Sequence, residues 1–145
     1  HYKKFLKKHP QSFEINFRLA NIQILLGNEA STIEIYENII SERPNNDLVL
    51  NNLAWLLLTA KDRKLRNIDK GLELALKSVE IFPTIDNLDT LAEAYFQSGK
   101  SKKAIQIIRK AANEVNFPTN RHSYLRKQLL RFRKGEPKTN PPVLS

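Results

Sequence analysis

The 145-residue chain is 41% hydrophobic and 27% charged, ordinary values for a soluble globular protein and sufficient for one sizeable core. It contains no cysteine, which excludes a disulfide framework and thiolate metal sites, and its longest apolar run, Leu53–Leu58, is far short of the roughly 18–20 residues that span a bilayer. The net charge of +9 is unevenly spread: residues 1–10 carry four lysines and no acid, residues 11–99 carry 8 basic and 13 acidic side chains, and residues 100–145 carry 12 basic and 2 acidic ones.

Apolar residues recur at helical spacing almost throughout, and no strand-length alternation competes with them. The N-terminal HYKKFLKKHP has no apolar stretch after its lysines, so it is not a signal peptide; it predicts a helix over 2–8 closed by Pro10. With no methionine anywhere, the chain is expected to be part of a longer, bacterial protein. Helices are predicted over 13–26 and 29–42, separated by Gly27 as a left-handed stop and Asn28 as an N-cap. The next pair is predicted over 47–60 and 68–82, capped by Asn46 and Asn67. Leu50, Leu53, Ala54 and Leu57 form one core stripe in this pair, and Leu72, Ala75, Leu76 and Val79 another. A third pair is predicted over 86–98 and 101–115, broken by Gly99 with Ser101 as the cap. A final helix over 120–134 lies between Thr119 as cap and Gly135 as stop. The proline-rich residues 136–145 read as a disordered tail.

The pairs repeat. Leu–Ala opens the first helix of each, at Leu19-Ala20, Leu53-Ala54 and Leu91-Ala92, and a glycine follows eight residues after the leucine at Gly27 and Gly99. Thr32, Gly71 and Ala104 supply a small residue where the second helix crosses the first, and Pro44, Pro83 and Pro118 close the units. On these residues the chain resembles the tetratricopeptide repeat family, most clearly over LAEAYFQSGKSKKAIQIIRKA, residues 91–111, with Tyr95 at the first-helix tyrosine. It departs from the family's pattern in the middle unit, whose TAKDRKLRN connection is about five residues long in excess and lacks the turn glycine. Asn16, Leu50 and Leu88 replace the first-helix tryptophan.

The resemblance implies an all-α fold, a right-handed α-solenoid of helix–turn–helix repeats. Residues 1–12 would be the second-helix remnant of a preceding repeat, followed by units at about 13–46, 47–84 and 85–118 and a capping helix over 119–135. It also implies a non-catalytic scaffold or adaptor whose first helices line a groove for a peptide or helix of a protein partner. Residues off the core stripe are expected to face that groove. In the first unit these are Phe17, Arg18, Asn21 and Ile24, in the second Asn51, Asn52, Trp55 and Leu58, and in the third Asp86, Asp89, Thr90, Glu93 and Phe96. Asparagine amides suit a peptide backbone, and a tryptophan suits an anchor pocket. Asn21 and Asn52 match the asparagines with which some family members clamp a terminal carboxylate. Phe17, Asp86 and Thr90 stand where that clamp has cations, so it is disfavoured.

No catalytic, metal or nucleotide motif is present, so no enzyme activity, metal or cofactor is expected. Asp86 and Asp89 read as acids near a helix N-terminus rather than a catalytic pair. The alternative function is anion binding, to nucleic acid or an acidic membrane surface, through a basic patch of Arg121, Arg126, Lys127, Arg131, Arg133 and Lys134. Sparse aromatics make nucleic acid the weaker partner. Self-association through Tyr2, Phe5 and Leu6 of the first helix is a further expectation, and the compartment, cytoplasm or periplasm, is not distinguished.

Overall fold

A computed structural model describes residues 13–113 and 122–135. All regular structure among them is helical: α1 (Phe13–Leu25), α2 (Glu29–Glu42), α3 (Asp47–Thr59), α4 (Ile68–Ile81), α5 (Ile85–Gln97), α6 (Ser101–Ala112) and α7 (His122–Lys134). A single 3-10 turn, Arg63–Leu65, interrupts the connection between α3 and α4. The predicted helix over 2–8, the cap at Thr119 and the tail over 136–145 lie outside the described residues.

Local chemistry sets the boundaries. Asn46 Oδ1 accepts the Val49 amide at 3.1 Å and Asn67 Oδ1 the Lys70 amide at 3.1 Å, each satisfying an orphan first-turn donor. Thr84 does the same for Asn87 at 3.2 Å, starting α5 one residue earlier than its periodicity indicates. Asn28 caps α2 by position without a side-chain capping bond, and α6 begins after Lys100, so Ser101 is its first residue and not its cap. Gly27 and Gly99 end α1 and α5 at φ of 77° and 79°, where a Cβ would crowd the backbone.

Helices pair in sequence as α1–α2, α3–α4 and α5–α6. Each second helix also packs on the first helix that follows it, and α3 packs directly on α5. No pair buries its apolar stripe alone, so the units share a core, as stacked repeats do. One cluster runs through Ala20, Tyr36, Leu50, Leu53, Leu74 and Leu91. A second holds Leu88, Ala104, Ile108, Leu125 and Phe132, which fixes α7 on the last pair. Half-buried Val79, Tyr95 and Ile107 touch both.

The long connection is anchored. The Glu29 carboxylate accepts the Lys61 amide at 2.9 and 3.1 Å, Arg66 Nε donates to the Ala60 carbonyl at 2.7 Å, and the Asn67 amide reaches the Leu57 carbonyl at 2.9 Å. Asn87, buried at the start of α5, donates its Nδ2 to Asp47 Oδ2 at 3.0 Å and to the Phe82 carbonyl at 2.8 Å, tying unit three to unit two.

Candidate functional site

The expected groove begins with α3, and α3 is buried on every side. Val49 through Leu58 are all buried without a break, which an amphipathic surface helix never is. Trp55 is 2% exposed and Leu58 is fully enclosed. Leu58 packs on Gly71 of α4, where a Cβ would stand 2.9 Å from Leu58 Cγ and Cδ2, so Leu58 belongs to the contact inside its own unit. Asn51 and Asn52 are buried as well. Asn52 faces the Tyr36 phenol. Burial pushes that phenol above its ordinary range. These four side chains therefore present no open wall; the neighbouring units close over them.

The physical reason lies in register. Counted from the Leu–Ala pairs, Asn51 and Trp55 of α3 occupy the positions of Asp89 and Glu93 in α5, and in both helices these positions are buried. On α5 it is α7 that covers them, and the contact is polar. The Tyr124 hydroxyl donates to Asp89 Oδ2 at 2.8 Å and accepts from Gln128 Nε2 at 2.7 Å. Arg131 Nε donates to Gln128 Oε1 at 2.9 Å, and its guanidinium forms an ion pair with Glu93, whose Oε1 also accepts Gln97 Nε2 at 2.9 Å. The guanidinium carbon stands 5.0 Å from the centre of the Phe96 ring and 4.6 Å from that of Phe132, a cation over two aromatic faces. Burial, together with the charge and hydrogen bond of Asp89, raises the Tyr124 phenol far above its ordinary range, so it stays a neutral donor.

Asp89 is thus no solvated helix-terminus acid: it is buried and holds α7, whereas Asp86 is exposed. Thr90 is buried and Phe96 half-buried under α7. The basic patch loses a member for the same reason, since Arg131 is committed to Glu93 and the two rings. Arg126, Lys127, Arg133 and Lys134 are exposed, and Arg121 lies outside the described residues. Sequence reasoning missed Tyr124 and Gln128 as partners of Asp89; their spacing with Arg131, at i, i+4 and i+7, places them on one helix face.

Phe17, Asn21 and Ile24 of α1 are half-buried and Arg18 is exposed, paired with Glu14 at 3.0 Å. Phe17 stacks on Phe13 with ring centres 5.8 Å apart, and the Arg43 guanidinium carbon lies 4.8 Å from the centre of the Phe13 ring. Of the sequence-predicted wall, this first-unit portion and Asp86 are the parts not buried under a neighbouring helix. No helix among the described residues is long and apolar enough to cross a membrane.

Two family models, each described as tetratricopeptide repeat, match the chain, one over residues 15–46 and the other over residues 85–113. These ranges coincide with the α1–α2 and α5–α6 pairs. No curated protein matches the chain.

Proposed function

From a chain that is a tetratricopeptide repeat protein, we infer a non-catalytic scaffold or adaptor that binds a peptide or helix of a protein partner. Repeats of this family generally mediate protein–protein interactions. The supporting observation is intramolecular: the wall of α5 already holds a helix, gripping Tyr124, Gln128 and Arg131 of α7 through Asp89 and Glu93. A first-helix wall with polar side chains set among apolar ones is therefore a helix-binding surface by its own chemistry. The open counterpart is on α1, where Phe17 and Ile24 offer apolar contact and Asn21 offers both a donor pair and an acceptor.

The experiment compares affinity capture by the intact protein with capture by Phe17→Ala and Asn21→Ala. Both residues are half-buried and Phe17 also packs against the core, so thermal melting of each variant checks that the fold is kept. Loss of the captured partner in either variant at an unchanged melting temperature supports the reading. Undiminished capture by both overturns the assignment of this wall. Trp55→Glu, the probe the sequence invites, is unsuitable because it drives a carboxylate into the core.

A further inference from the structure

The docked side of α7 fixes what its other side presents. Tyr124, Gln128 and Arg131 face α5, and Leu125 and Phe132 enter the core. The opposite side carries Arg126, Lys127, Arg133 and Lys134, all exposed, around Leu130, which is 49% exposed. The four cations stand four and three residues before the leucine and three and four after it, so they are its neighbours on the helix surface. The crest of α7 is one leucine ringed by cations.

The charge around that crest has a single sign. α6 packs on α7, and neither Lys100 to Asn113 nor His122 to Gly135 contains an acidic residue. Outside the described residues the sequence holds only two acids, Glu114 and Glu136. Another part of this chain laid over the crest would therefore bury cations without the carboxylates to pair them, which is unfavourable.

We propose that this face of α7 docks on a membrane rich in anionic phospholipid, with Leu130 entering the boundary between headgroups and acyl chains. The Lys and Arg stems lie along that boundary while their charged ends meet phosphate oxygens. Two observations select a bilayer among anionic partners. Single-stranded nucleic acid stacks on exposed aromatic rings, and those of α7 are committed elsewhere, Tyr124 to Asp89 and Phe132 to the core beneath Arg131. An aliphatic crest likewise adds nothing to contacts with a duplex backbone. An acidic protein surface would need an apolar interface core depleted of charge, which a lone leucine among four cations does not provide. A bilayer needs only shallow apolar insertion beneath a layer of phosphates.

The test mixes the protein with phosphatidylcholine vesicles, with or without phosphatidylserine, at about 0.1 M salt, where the Debye length is about 10 Å. The protein should sediment with the anionic vesicles, not with the neutral ones, and should be released as salt rises. Lys127→Gln should weaken partitioning roughly fivefold, the weight of one cation at such a surface. Leu130→Gln should weaken it as well although it alters no charge, whereas Leu48→Gln, at a comparably exposed leucine on α3, should not. Leu130→Trp reads the insertion directly. Trp55 is buried and supplies a constant background, so emission from position 130 should shift to the blue with anionic vesicles alone. Three results overturn the proposal. One is no partitioning onto the anionic vesicles. Another is undiminished partitioning of Leu130→Gln with unshifted emission of Leu130→Trp, the mark of a face that merely gathers polyanions. The third is duplex DNA displacing the protein at phosphate concentrations below that of the vesicles, which assigns the face to nucleic acid.

Discussion

Replacing Arg131 with methionine should detach α7 from the last unit. The Glu93 carboxylate is fully buried and the Arg131 side chain is 11% exposed, so neither partner of the ion pair is screened by water. Methionine keeps an apolar stem of similar length between Phe96 and Phe132 and removes only the charge and its donors. What remains is a buried carboxylate with the Gln97 amide as a hydrogen-bond donor, a situation that costs about 3–5 kcal/mol. Losing the cation from two ring faces adds roughly 0.5–1 kcal/mol per face. Against a total stability of about 5–15 kcal/mol for a domain, this is a large fraction. With a urea slope of about 2 kcal/mol/M, the unfolding midpoint of Arg131→Met should fall by about 2–3 M. Adding Glu93→Leu removes the stranded charge, and the double variant should recover most of the loss. A drop below about 0.5 M for Arg131→Met, the scale of an exposed pair, would refute the reasoning. So would a double variant no more stable than Arg131→Met.

Gly71→Ala tests packing against propensity: alanine gains about 1 kcal/mol inside a helix, but its Cβ would meet enclosed Leu58 at 2.9 Å, and overpacking costs about 1–3 kcal/mol. The melting temperature should fall, and Leu58→Val in the same chain should restore part of it; a rise in Gly71→Ala alone would contradict the tight contact. Tyr124 governs the alkaline limit. Its folded pKa is raised above the unfolded value of 10.0, so its contribution is fully present below that value and is lost as pH climbs beyond it. The alkaline decline in stability should be shallower in Tyr124→Phe. Near pH 10 that variant's phenolate absorbance should match the parent's, whereas loss of a tyrosine signal there would show that Tyr124 ionises freely.

Particular residues separate what was legible in sequence from what was not. Asn46, Asn67, Gly27 and Gly99 mark helix ends because capping and left-handed turns are local events, settled by a few neighbouring atoms. The Leu–Ala pairs and the prolines at Pro44 and Pro83 are equally local. Thr84 is less legible because the helical period starts after it, although its hydroxyl makes the cap.

The outward residues were another matter. A single helix reports which side chains leave its own core stripe, but not what lies beyond them. Asn51, Trp55, Asp89 and Glu93 do leave the stripe, as their spacing indicates, yet all four are buried, Asp89 and Glu93 against α7. Asp89 and Arg131 illustrate the limit: separated by more than a whole unit in sequence, they enter one hydrogen-bonded network only when α7 docks on α5. The sequence by itself determined an all-helical, repeating chain, because helix period, caps and breakers act over a few residues. The tertiary structure decided which outward faces stay open, leaving α1 exposed while closing α3, because burial depends on neighbours that no local pattern can specify.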